Sequence, residues 1–190
     1  MTNKTVGIVY FSHSGATKLV AEQIAEGAKS SKQTDIYLME VLPSEIVEGR
    51  YVNQEKIGRL SSCDAILFGS PTYMGSPSAQ FKAFMDASSD PYCDKAWRNK
   101  LAGGFTTGGS LNGEQQQTLF SFFTLACQHG MIWAGLDVSK HTDSLGLNRT
   151  GSNIGLVSSA GEDSLIHEND LRTAFYYGER IAHILTKDAG

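Results

Sequence analysis

Residues 6–17, V-G-I-V-Y-F-S-H-S-G-A-T, constrain the fold more than any other stretch of the chain. Residues 6–11 carry no charge and are mostly apolar, which suits a strand buried on both faces of a parallel sheet. The next six residues are rich in hydroxyls, and apolar residues at helical spacing begin near Ala16. Strand, hydroxyl-rich turn and helix, in that order, describe a phosphate cradle. The first amides of a helix have no partner inside it, and its dipole favours negative charge there. The same residues also suit an ordinary turn, because Ser and Gly are common in turns and Ser and Thr at helix starts.

The rest of the chain supplies the context. From Ala16 the positions Val20, Ile24 and Gly27, beside Ala21, Ala25 and Ala28, predict a helix ending near Ser30. Residues 35–41 read as a second strand near a sheet edge, 43–49 as a polar connection and 53–60 as a short helix. Residues 65–69 read as a third strand running into S-P-T-Y-M-G-S-P, followed by a helix with Phe81, Phe84 and Met85 on one face. Residues 89–99 look irregular. Residues 101–107 read as a fourth strand ending in T-T-G-G-S, and a helix over 114–128 is expected to bury Leu119, Phe122, Phe123 and Ala126. A fifth strand is expected over 131–136. Residues 137–168 form a long polar segment without clear periodicity beyond 154–157. The last helix carries Leu171, Ala174, Phe175, Gly178, Ile181, Ala182 and Leu185 at helical spacing.

Five strands alternating with helices predict an α/β doubly wound fold with a five-stranded parallel sheet. At 190 residues a single domain over 1–190 is expected, with room for a substantial core. A net charge of −4 leaves no basic footprint, so nucleic acid is not an expected partner. Cys63, Cys93 and Cys127 form no C-x-x-C pair, so a zinc knuckle or redox dithiol is not suggested and no metal is expected. No apolar run approaches the length of a membrane span and no signal segment is evident, so a soluble, cytoplasmic protein is expected.

In a doubly wound sheet, ligands bind outside the carboxyl ends of the strands, near the point where strand order reverses. Three unusual loops fall there: S-H-S-G-A-T, S-P-T-Y-M-G and T-T-G-G-S. They offer backbone amides and small hydroxyl donors rather than charges. That suits a ligand with one phosphate and a large, flat ring with polar edges, and flavin mononucleotide (FMN) fits the description.

These segments resemble the flavodoxin-like FMN proteins, and among them the WrbA-type NAD(P)H:quinone oxidoreductases, over nearly the whole chain. S-H-S-G-A-T is similar to the family's S-x-x-G-x-T phosphate loop, and G-S-P-T-Y-M-G to its G-x-P-T-x-x-G loop against the flavin ring. L-A-G-G-F-T-T-G-G is similar to the strand and loop meeting the pyrimidine edge, and L-A-C-Q-H-G-M to the L-A-x-H-G-M ending the fourth helix. Two features depart from the pattern. Tyr73 stands where an Arg usually follows P-T, and the region of the usual P-Y-G-A loop reads L-G-L-N-R-T-G-S-N-I-G-L.

The resemblance implies a residue-by-residue site. Ser12, His13, Ser14, Gly15, Ala16 and Thr17 would hold the phosphate. Pro71, Thr72, Tyr73, Met74 and Gly75 would lie by the ring, and Thr106, Thr107, Gly108 and Gly109 would meet its pyrimidine edge. His129 would stand over the flavin or near the substrate as a catalytic hydrogen-bonder. The competing view of His129 is a helix-end residue favoured by the macrodipole. Trp97 and Phe122 are expected in packing rather than catalysis. The implied activity is two-electron reduction of a quinone or related acceptor, with NADH or NADPH as transient donor and hydride passing through flavin N5. A homodimer or homotetramer would wall the site. The alternative is a flavodoxin-type one-electron carrier serving a protein partner.

Overall fold

The structure is a computed structural model that describes residues 3–111, 113–161 and 165–187. In chain order its elements are strand β1 (Lys4–Tyr10), helix α1 (Ala16–Lys29), β2 (Thr34–Glu40), a small hairpin of β3 (Ile46–Val47) and β4 (Arg50–Tyr51), and α2 (Gln54–Ser61). There follow β5 (Ala65–Tyr73), β6 (Ser76–Pro77), α3 (Ala79–Ala87), the short α4 (Ser89–Cys93) and β7 (Leu101–Gly108). The chain continues with α5 (Gln115–Gln128), β8 (Ile132–Trp133), β9 (Leu156–Ser159) and α6 (Glu168–Thr186). No helix among the described residues is long and apolar enough to cross a membrane.

The parallel sheet runs β2-β1-β5-β7, and its fifth position is shared by two short strands. β8 pairs with Leu101 and Ala102 at the start of β7, while β9 pairs with residues 105–108 at its end. The fold is therefore the expected flavodoxin-like one, with the last strand divided. Residues 131–136 do not form one continuous strand because the chain leaves the sheet after Trp133. A Cβ on Gly135 would stand 2.1 Å from the Asn153 carbonyl oxygen, so the returning backbone closes against the departing one. The periodicity at 154–157 marks that return.

Side-chain alternation along β1 explains why both sheet faces are covered. Val6, Ile8 and Tyr10 join Val20, Ile24, Phe105, Tyr177 and Ile181 on the α1/α6 side. Val9 and Phe11 join Phe68, Phe81, Phe84, Trp97, Leu119 and Phe122 on the other. Burial of such side chains contributes roughly 1.5–3 kcal/mol each against exposure.

One residue expected to be buried lies outside the core, and so does one on the apolar stripe of the last helix. Phe123 is exposed on α5 and meets Trp133 edge-on at 5.6 Å. Phe175 is also exposed, because α6 turns its narrow 170-173-174-177-178-181-182 seam inward. That seam brings α6 against α1 with backbones almost touching. A Cβ on Gly27 would stand 1.9 Å from the Phe175 carbonyl oxygen, and one on Gly178 2.0 Å from that of Ile24. The two glycines are required by this crossing.

Candidate functional site

Three loops meet at the carboxyl edge of β1, β5 and β7. In the first, Phe11 N–H donates to the Gly69 carbonyl at 3.0 Å, tying the end of β1 to β5. The chain then turns through exposed His13, Ser14 and Gly15 into α1. Gly15 caps the helix at φ 92°, a left-handed conformation natural to glycine. Nothing stands within 4 Å of where its Cβ would be, so the turn faces open space. Ser12 Oγ accepts the amides of Gly15 (3.1 Å) and Lys18 (3.2 Å), which leaves its own proton to donate. Ala16 and Thr17 supply first-turn amides that lack intrahelical partners.

The second loop is more ordered than a turn after residue 69 would suggest. β5 continues to Tyr73 and folds back on β6, pairing Tyr73 with Ser76 and Thr72 with Pro77. Met74 and Gly75 occupy the bend at φ 48° and 74°, the two positive values of a tight hairpin turn matched to strand twist. The bend raises Tyr73 (48% exposed) and fully exposed Met74 above the edge, while Pro71 is buried beneath.

The hydroxyl of Thr72 is engaged within the protein. Thr72 Oγ1 lies 2.8 Å from both Thr106 Oγ1 and Thr118 Oγ1, and Thr106 donates to the Ser70 carbonyl at 2.7 Å. A hydroxyl has one proton, so the direction of the whole chain follows. Thr106 has given its proton to Ser70, Thr72 must donate to Thr106, and Thr118 must donate to Thr72. The relay braces α5, β7 and the β5–β6 hairpin against one another.

The third loop divides its threonines between the two layers. Thr106 points toward α5, and the next residue, Thr107, points toward α1, where its Oγ1 lies 2.7 Å from Thr17 Oγ1. A Cβ on Gly108 would stand 2.4 Å from Gln115 Nε2, so a side chain there would have to displace the Gln115 amide. Gly109 is exposed with open space above it. None of residues 12–17, 71–75 and 106–109 is an Asp or Glu, so these three loops themselves offer neutral donors.

β9 reaches the same edge, and its supports escaped the sequence reading. Arg149 Nε and Nη2 each donate to Asp170 at 2.7 Å, and Ser159 N–H donates to the same carboxylate at 3.0 Å. A planar guanidinium forking onto a carboxylate in the first turn of α6 anchors the 137–155 segment. The available signals were weak: one Arg in a polar stretch, and one Asp near a helix start. Thr118 and Ser70 were missed as well, because a hydroxyl relay assembled from three elements distant in the chain has no linear signature.

His129, expected over the flavin or near the substrate, lies away from the three loops of its own chain. It ends α5, and the following residues pair with the start of β7, so it lies at the amino edge of the sheet. The eight residues of β7 separate it from Gly108 by roughly 3.3 Å each. It is buried, stacked on Trp97 at a centroid distance of 4.2 Å and met edge-on by Tyr92 at 5.8 Å. Ser88 Oγ donates to the Met85 carbonyl at 2.7 Å, so it can only accept from His129 Nε2, 3.0 Å away. That assigns the Nε2–H tautomer and leaves Nδ1 buried without a partner among the described residues. Desolvation lowers the pKa from 6.5 to about 4, and the ring is neutral at physiological pH.

Comparison with known proteins agrees with this architecture. The family model for NADPH-dependent FMN reductases matches residues 5–135, which includes all three loops. The chain is 38% identical to flavodoxin FldP of Pseudomonas aeruginosa, over 93% of this chain and 94% of that protein. It is 33% identical to an NAD(P)H dehydrogenase (quinone) of Caulobacter vibrioides, over 95% and 96%. Among solved structures it resembles a flavodoxin, WrbA-like protein from Agrobacterium tumefaciens, with a TM-score of 0.75, 36% identity and coverage of 97% and 99%.

Proposed function

This chain belongs to the NADPH-dependent FMN reductase family, and from that premise we propose that it is an FMN-dependent oxidoreductase that uses NADH or NADPH to reduce quinones or related small acceptors by two electrons. The observation that carries the proposal is the meeting of three acid-free loops, 12–17, 71–75 and 106–109, at one carboxyl edge. The edge fits FMN chemically: hydroxyls and unpartnered helix amides for a phosphate, raised apolar side chains for a ring, open glycines for its polar rim.

In this reading Ser12, Ser14 and the amides of Ala16 and Thr17 hold the phosphate, with the dipole of α1 opposing its charge. His13, exposed beside them, gives solvent-side cover. Hydrogen bonds to a charged group contribute roughly 1.5–3 kcal/mol each, so a few suffice without a Lys or Arg. Tyr73 and Met74 flank the ring, held in place by the Thr118–Thr72–Thr106 relay. Backbone amides at Gly108 and Gly109 serve its electron-rich edge as fixed donors. Bound FMN supplies hydride acceptance from a nicotinamide and two-electron delivery onward. The protein's part is to bind, orient and shield.

His129 cannot reach a flavin held by its own chain, so any contact it makes with flavin or acceptor comes at the site of a second copy. Phe120, Phe123 and Ile132, exposed on and beside α5, support a homodimer or homotetramer. Three free cysteines fit a reducing, cytoplasmic setting.

The test is anaerobic titration of FMN-loaded protein with NADPH and then NADH, followed by flavin absorbance. Bleaching in a single two-electron step by one nicotinamide is expected. Tightly bound FMN that neither nicotinamide bleaches would overturn the reductase reading in favour of a one-electron carrier, which the 38% identity to flavodoxin FldP supports.

A further inference from the structure

Two pairs of threonines stand at the carboxyl edge, and proton counting separates them. In the Thr118–Thr72–Thr106 relay every hydroxyl proton has an acceptor, the last being the Ser70 carbonyl. Thr17 and Thr107 face one another at 2.7 Å, yet among the described residues no carbonyl or carboxylate accepts from either. Two protons therefore share a single hydrogen bond. One is unspent, in side chains only 1% and 3% exposed. A buried hydroxyl proton without an acceptor is unfavourable and calls for explanation.

The position supplies one. Thr17 lies in the first turn of α1, directly behind the open 12–15 turn, where the helix dipole favours an anion. A phosphate offers acceptors only. It takes the Thr17 proton, after which Thr107 has one choice left: to donate to Thr17 Oγ1.

We infer that Thr107 is a positioning residue for the phosphate, acting through Thr17, rather than a contact to the flavin ring. The pair forms a directed relay, Thr107 to Thr17 to phosphate, that joins the β7 loop to the phosphate loop when the anion is bound. This inference rests on the FMN reading above and deepens it. The chemistry of the site is that of a phosphate, whether carried by FMN or free.

Binding titrations of FMN and riboflavin to wild type, Thr107→Val, Thr107→Ser and Thr17→Val separate the possibilities. Thr107→Val keeps the shape and removes the donor. It should weaken FMN about ten-fold or more, leave riboflavin affinity unchanged and leave the melting temperature of the flavin-free protein no lower than wild type. Thr107→Ser should restore FMN binding, and Thr17→Val should lose at least as much as Thr107→Val. Equal weakening of FMN and riboflavin by Thr107→Val, or none of either, overturns the relay. Inorganic phosphate that protects wild type thermally more than Thr107→Val, with no FMN-to-riboflavin difference, would mean the relay serves the free ion and overturns its link to FMN. Wild type that binds neither flavin is a different failure, that of the FMN reading itself.

Discussion

The two edges of one sheet carry opposite kinds of chemistry. At the carboxyl edge, ordinary threonines, serines and glycines form a surface whose donors face outward or are linked beneath it. At the amino edge, the residue that looks most chemical, His129, is sealed between Trp97 and Tyr92 with its proton assigned by Ser88. The difference lies in solvation. A helix start exposes unpartnered amides and so invites an anion, whereas a stacked, desolvated imidazole resists charge. Residue type alone does not mark a site; access and spare hydrogen-bonding capacity do.

If the edges are independent, damage to one should not register at the other. The largest effect is expected from Trp97→Ala. It removes a fully buried ring packed on Phe68, Phe84 and His129, and should cost about 3–5 kcal/mol in urea unfolding. FMN affinity of the folded variant should stay at the wild-type value, and a parallel loss of affinity would show the edges to be coupled.

A smaller effect is expected from pH. The folded pKa of His129, about 4, lies below the unfolded value near 6.5. Its contribution to stability is therefore complete above about pH 6.5 and declines as pH falls toward 4, by about 3 kcal/mol. Unfolding free energies of wild type and His129→Phe across that window should diverge in slope, and identical slopes would show that His129 titrates normally.

The smallest effect belongs to the carboxyl edge. Thr72→Val leaves the Thr118 proton without its acceptor and should cost about 1 kcal/mol by thermal or urea unfolding. The pH slope from His129 should be untouched. A loss well beyond that size would mean the hairpin is held by more than the relay.

The order of strands and helices was legible because apolar runs and helical spacing are local properties, and the three loops because glycines and hydroxyls cluster after strands. The fifth strand was legible only in halves: 131–136 and 154–157 each carried part of its signal, but their joining across β7 is a long-range pairing. Phe123 was misjudged, and the exposure of Phe175 was not legible, because helical spacing names a broad face while the neighbouring strand or helix decides how much of it is covered.

By itself, the sequence determined the class of fold and the edge where a phosphate-bearing ligand belongs, since a buried strand, a hydroxyl-rich turn and a helix start lie consecutively in the chain. Tertiary structure alone decided which hydroxyls remain free. Thr72 and Thr106 are spent within the protein and Thr17 and Thr107 retain a proton, because hydrogen-bond partners come from distant elements and each proton can be given only once. It also decided that His129 faces the far edge, because α5 runs back along the sheet and carries its last residue away from the loops where the helix began.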